Sequence, residues 1–171
     1  MANKNQEYTE QYADYAMAQM RRYGIPASVT LAQGILESSN GQSRLAVNEN
    51  NHFGIKATPE WIAEGGRYGL YSDDKPNEKF CSLRQLWAIQ YEHHSRFLKE
   101  NSRYARCFSL SPDDYKGWTQ GLEKAGYATG GHYATAATYH RTERAAKVRP
   151  AGHAGNGDAG KAVRRGREPA P

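Results

Sequence analysis

Between residues 50 and 80, glycine and proline fall at Gly54, Pro59, Gly65, Gly66, Gly69 and Pro76, too densely for a long helix to pass through. On either side the chain reads as helix. Tyr8, Tyr12, Tyr15, Ala16, Gln19, Met20 and Tyr23 recur at three- and four-residue steps over 8–23, and Gly24 is placed to cap that helix. Pro26 then opens a second helix where a missing N–H matters least. Its inward stripe reads Ser28, Leu31, Ala32, Ile35, Leu36 and Ser39, and Asn40-Gly41 stops it. A short helix fits 43–48. Beyond the punctuated stretch, helix is expected over 83–100, over 112–125 with Gly126 as cap, and more weakly over 133–146 after the break at Gly130-Gly131. Within the stretch, short extended pieces fit, with one hairpin pairing Arg67–Tyr71 and Glu78–Cys81. Helices, an irregular lobe, then helices again is the layout of an α+β domain, mainly α, with segregated parts. A cleft between such a lobe and the helical body is a natural ligand groove.

At 171 residues there is material for one domain with a real core. Hydrophobic residues make up 38%, below the roughly 45–50% of globular chains, and the deficit is concentrated at the C-terminus. Residues 1–146 are therefore expected to form the domain. Residues 147–171 read as a basic, low-complexity tail too poor in apolar surface to order itself. The net charge of +5 comes largely from Arg141, Arg144, Lys147, Arg149, Lys161, Arg164, Arg165 and Arg167. Basic surface favours polyanions in general, but without a recognition motif it implies no specific nucleic-acid partner. No run approaches the roughly 20 apolar residues of a membrane span. The first ten residues lack the apolar centre of a signal peptide, so an export route is not written here. Cys81 and Cys107 could form one disulfide or stay two buried thiols. No metal-ligand spacing surrounds either, and no metal or cofactor is expected. His93 and His94 are adjacent, pointing about 100° apart on a helix, which fits solvated or capping roles better than a shared ion.

Glu37 is the most informative residue. It shares the second helix with Thr30 and Gln33, off the apolar stripe and within a turn of the helix end. A carboxylate there meets the negative end of the helix dipole. The expected consequence is a raised pKa, which a general acid working near neutral pH requires.

The run Gly24-Ile25-Pro26-Ala27-Ser28-Val29-Thr30-Leu31-Ala32-Gln33-Gly34-Ile35-Leu36-Glu37-Ser38 is followed by Asn50-Asn51-His52-Phe53-Gly54-Ile55-Lys56. Later come His94, Phe97 and Leu98, then Tyr115-Lys116-Gly117-Trp118, Gly126-Tyr127-Ala128-Thr129 and His132-Tyr133-Ala134. In this order the motifs resemble the endo-β-N-acetylglucosaminidases of glycoside hydrolase family 73, over roughly residues 10 to 140. The resemblance implies a lysozyme-like helical domain with a small β-lobe beside the cleft. It also implies hydrolysis of peptidoglycan glycan strands, with action at the cell wall, in the periplasm or outside the cell. Glu37 matches the family's catalytic glutamate and Tyr127 a tyrosine that contacts glycan. Tyr133 belongs to the closing motif and joins the expected substrate contacts. For the family's second, less fixed lobe carboxylate, Glu78 beside Phe80 is the expected residue, with Glu64 and Asp74 as rivals. Trp61 could stack on a sugar face or build the lobe core, and Phe53 reads as structural. A non-catalytic wall-binding module of the same fold is the alternative reading.

Two stretches depart from the family pattern, both resembling local shifts of reading frame. Residues 82–90 replace an expected tyrosine, a small turn residue and an acidic helix start. After Tyr133-Ala134, Ala136, Ala137 and Tyr139 stand where an apolar helix rich in leucine and isoleucine is expected, so the last helix should lack much of its core face.

Overall fold

In the computed structural model, residues 3–73, 75–84, 88–127 and 130–148 are described. Helix α1 spans Lys4–Tyr23, capped by the Asn3 side chain, which accepts from the Gln6 N–H at 2.7 Å. Gly24, at φ 79°, ends it in the left-handed conformation that glycine adopts without penalty. Helix α2 spans Ala27–Ser38, with Pro26 one position outside as its N-cap. Helices α3 (Arg44–Glu49) and α4 (Pro59–Ala63) lead into the hairpin of β1 (Tyr68–Tyr71) and β2 (Glu78–Cys81). The strands pair antiparallel, Tyr68 opposite Cys81 and Tyr71 opposite Glu78. Helix α5 (Ile89–Glu100), a 3₁₀ segment (Ser102–Ser109), α6 (Tyr115–Lys124), α7 (His132–Tyr139) and α8 (Thr142–Val148) complete the body. The mainly helical α+β layout and the hairpin are as expected.

Helix α2 is the axis of the body. Every residue from Ala27 to Ile35 is buried, so it carries no solvent face until its last turn. Thr30 and Gln33, expected off the apolar stripe, are fully buried with the rest, whereas Leu36, expected inward, is 39% exposed. Helices α1, α6, α7 and α8 surround α2, and two apolar clusters lie against it. One joins Tyr8, Tyr12, Ala16 and Met20 of α1 to Leu31, Ile35, Phe53 and Tyr91. The other joins Val29 and Ala32 to Leu98, Tyr104, Trp118, Leu122 and Ala136. A third holds the lobe together through Trp61, Cys81, Leu83 and Ile89.

The Asn50-Asn51-His52 motif latches the lobe to the body. The Asn50 side chain donates to the Leu83 carbonyl at 3.0 Å, and that of Asn51 to the Ile55 and Cys81 carbonyls at 2.9 and 3.0 Å. Gln90 of α5 accepts from the His52 N–H at 2.9 Å and donates to Asn50 at 3.1 Å. These buried groups satisfy one another, as buried polar groups must.

Several expectations are corrected. The helix expected from residue 83 begins at Ile89: Leu83 is drawn into the lobe core, its N–H bonded to the Glu49 carbonyl at 2.7 Å. Residues 85–87 of that stretch lie outside the described residues. The helix expected from 133 to 146 is two, α7 and α8, divided at His140-Arg141. Its missing bulk is made good by small and polar residues: Ala136 and Ala146 are fully buried, and Glu143 is 4% exposed against Ser28. His93 and His94 are neither solvated nor capping; both are 3% exposed inside the body. Cys81 and Cys107 are free thiols in separate clusters. The last helix runs through Val148, and the rest of the expected tail lies outside the described residues.

Candidate active site

Glu37 stands in the last turn of α2, where the helix leaves the protein interior. Three consecutive left-handed residues, Ser39, Asn40 and Gly41 at φ 51°, 58° and 78°, then stop the helix and turn the chain away. The Glu37 side chain is open to solvent on one side. Protein crowded about the other side pushes its carboxyl up to about 8, burial being the larger effect and a hydrogen bond from Tyr127 opposing it. Water at the open side tempers the loss of hydration, but the direction is upward. The acid is held protonated where an ordinary glutamate is ionised.

The Tyr127 hydroxyl lies 3.0 and 2.9 Å from the two Glu37 oxygens and bridges them. Burial, and then the neighbouring Glu37 charge, raise the phenol well above its ordinary value, so it stays a donor. Tyr127 follows Gly126, which takes φ 93° at the end of α6, and its N–H bonds the Leu122 carbonyl at 2.9 Å. Rings surround its own: Tyr104 at 5.9 Å, His132 at 6.1 Å and His94 at 6.2 Å between centroids.

Glu78 lies on β2 and is an ionised group of a different kind. The Lys56 ammonium at 3.0 Å holds its carboxyl below the usual range, and the Lys75 N–H donates to it at 3.2 Å. Glu64 closes α4 on the lobe surface, and Asp74 lies outside the described residues.

Trp61 is removed from the expected sugar contacts. It is 4% exposed, its ring packs in the lobe core with Cys81, Leu83 and Ile89, and its indole N–H donates to the Arg67 carbonyl at 2.8 Å. No face is left for a sugar. Phe53, 7% exposed, is core as expected. Tyr133, by contrast, is 48% exposed at the start of α7, its ring stacked with Tyr115 at 6.1 Å.

Gln33 and His94 were missed as part of the site by sequence reasoning. Gln33 lies one helical turn before Glu37, a spacing that places both on one face of α2, and this was the available signal. His94 joins the body through Gln33 and backs the Tyr127 ring. Among the described residues, no group of three or more His, Cys, Asp or Glu side chains is placed to hold a metal ion.

The sequence profile of a family described as mannosyl-glycoprotein endo-β-N-acetylglucosaminidase matches residues 13–142. Among curated relatives, the exo-glucosaminidase LytG of Bacillus subtilis is 26% identical over 77% of this chain and 49% of its own length. The peptidoglycan hydrolase FlgJ of Vibrio parahaemolyticus is 30% identical over 70% of this chain and 41% of its own. The chain thus spans less than half the length of these relatives. Among solved structures, the glycoside hydrolase domain of Salmonella typhimurium FlgJ superposes with a TM-score of 0.62 at 24% identity, over 84% of this chain and 90% of that one. The catalytic domain of the autolysin Auto from Listeria monocytogenes gives 0.60 at 22% identity, over 86% and 88%.

Proposed function

Because the chain belongs to the endo-β-N-acetylglucosaminidase family, we propose that it hydrolyses peptidoglycan glycan strands at the bond from N-acetylglucosamine to N-acetylmuramic acid, with Glu37 as general acid. The observation that carries this reading is the Glu37 carboxyl, open to solvent yet pushed up to about 8 and bridged by Tyr127. A strand laid against the end of α2 meets a protonated acid. Glu37 gives its proton to the glycosidic oxygen, the C1–O bond breaks, and its electron pair stays with the leaving sugar. Positive charge then gathers on the anomeric carbon and ring oxygen. Water adds its hydroxyl to that carbon, and its second proton restores Glu37.

Glu78, held ionised by Lys56, is the carboxylate assigned to stabilise that charge, with Glu64 and Asp74 as its rivals. The substrate's own N-acetyl oxygen offers a second way to meet the same demand. Tyr127 and the exposed Tyr133 are assigned to the sugar-binding wall. The site of action is the cell wall, in the periplasm or outside the cell, a reading supported by the name of FlgJ as a peptidoglycan hydrolase.

Digestion of purified cell walls, followed by identification of the new reducing-end sugar, tests the reading. N-acetylglucosamine at the new ends is expected. N-acetylmuramic acid would move the cut to the other bond, and retention of the protein on walls without soluble product would mark a binding module. Glu37→Gln keeps the shape but has no proton to give, so turnover should fall by on the order of 10²–10⁴. A variant keeping more than about a tenth of wild-type turnover would remove Glu37 from the acid role. Since only protonated Glu37 is active, kcat/KM should hold through neutrality and decline as pH rises through about 8.

A further inference from the structure

Gln33, His94, Tyr127 and Glu37 form a closed circuit that leaves α2 and returns to it one turn later. Gln33 is fully buried, and its Oε1 lies 2.6 Å from the Nε2 of His94 on α5. That contact puts the proton on Nε2 and fixes the ring's rotation. Phe53 lies flat on the same imidazole, centroids 4.1 Å apart and planes 12° from parallel, so the ring can neither turn nor tilt. Its edge then meets the Tyr127 ring at 6.2 Å and 80°. The Tyr127 hydroxyl reaches both Glu37 oxygens.

Tyr127 needs such backing. It lies outside any helix or strand, directly after a left-handed glycine. One end of its ring must be held while the other spans two oxygens of a solvent-facing carboxyl. Of the three rings around it, His94 alone is clamped both by a buried hydrogen bond and by a parallel stack.

We propose that His94 is a positioning residue for the acid: locked by Gln33 and Phe53, it holds the Tyr127 ring so that its hydroxyl bridges Glu37. This rests on the reading of Glu37 as the proton donor. The imidazole acts as a neutral wall. Burial, with His132 nearby, takes His94 down to about 3, and burial takes His132 to about 4. Neither is charged where Glu37 works, and that matters, because a cation behind Tyr127 would favour the Glu37 carboxylate and defeat its role. Among the described residues, the other ionisable groups facing this pair are Tyr104, beside Tyr127, and Tyr8, which senses the Glu37 charge from α1.

The test reads the Glu37 carboxyl itself, by carbon-13 NMR titration of the full chain, so it needs no turnover. The Tyr127 hydrogen bond lowers the Glu37 pKa, so freeing the hydroxyl should raise it, by about one unit. His94→Leu is expected to give that rise, as Tyr127→Phe does, and the double variant to rise no further than either alone. On wall fragments, His94→Leu should lower kcat several-fold with little change in KM and move the alkaline limb of the profile upward. A folded His94→Leu chain whose Glu37 titrates as in the wild type would overturn the proposal, as would fully additive shifts in the double variant. Should His94→Leu fail to fold, Gln33→Leu, which removes only the orienting bond, is read the same way and decides the matter. Wild-type chain that cuts no wall while the Glu37 titration still moves with His94 would sink the enzymatic reading and leave the positioning role standing.

Discussion

A Cβ built on Gly34 would fall 2.5 Å from the Tyr8 hydroxyl oxygen. That hydroxyl cannot swing aside, because it lies 2.7 Å from His52 Nδ1 and 2.9 Å from the Tyr91 hydroxyl in a buried network. Gly34→Ala is therefore expected to destabilise the fold by about 1–3 kcal/mol, as overpacked cores do. Helix propensity alone predicts the opposite, a gain of about 1 kcal/mol. A thermal melt with the right sign of shift distinguishes the two. At this scale the sequence was legible where a family motif singles residues out, as at Glu37 and Tyr127, whose side chains the fold brings into hydrogen-bond contact. It was silent where a residue's role depends on what packs across from it. Nothing in the adjacency of His93 and His94 says that one ring meets Trp61 and the other Phe53. In the sequence Trp61 is equally suited to sugar or core, and only the fold shows its indole N–H occupied by the Arg67 carbonyl.

Helix α8 shows what element-scale reading missed. Its Glu143 accepts from the Ser28 hydroxyl and, at 3.4 Å, from the Ser28 N–H, in the first turn of α2. Pro26 offers that helix no side-chain cap, so a carboxyl from elsewhere in the chain supplies it. Burial, then the Asp113 charge, raises Glu143 to about 7 against Ser28's opposing hydrogen bonds. A folded-state value above the unfolded 4.5 means that the folded chain binds the extra proton between these two pH values. Its contribution to stability is fully present below about 4.5 and lost as pH rises through about 7. Glu143 alone should thus lower the melting temperature from pH 5 to pH 8. The buried His52, His93, His94 and His132, held well below their ordinary value, pull the other way up to about 6.5. The excess melting temperature of the wild type over Glu143→Gln should therefore shrink across this range, since every other group is common to both chains. An unchanged slope in calorimetric melts would show that Glu143 does not titrate in this window. The hairpin was legible to within a residue because its strands are bounded by turn residues. Helix α4 was not, because Pro59 reads in the sequence as a break. With Thr58 accepting from the Trp61 N–H at 3.1 Å, Pro59 is instead a helix start. The 3₁₀ segment, capped by Asn101, has too short a run for periodicity to reveal it.

For the molecule as a whole, the division near residue 146 becomes a proposal about where the chain can be cut. Ending it after Val148 keeps Glu143 on Ser28, Ala146 in the core and the Arg21 guanidinium on the Ala146 carbonyl at 3.0 Å. Melting temperature and wall-cutting rate should then stay near those of the full chain. Ending it after Arg141 removes all three and the Lys147–Asp113 ion pair. The melting temperature should drop, by about 2–4 °C for each kcal/mol lost in a domain of this size. Equal melts for the two truncations would show that α8 adds nothing to the fold. The encased α2 has a consequence for how this domain opens. Its amides are shielded by α1, α6, α7 and α8 at once, so they should exchange with deuterium only when the whole body unfolds, while the hairpin exchanges through smaller openings. Glu37, the proposed proton donor, is mounted on the segment expected to exchange slowest, at the one turn where it meets water. Heat should therefore extinguish catalysis together with the last protected amides, even after the lobe beside it has begun to fray.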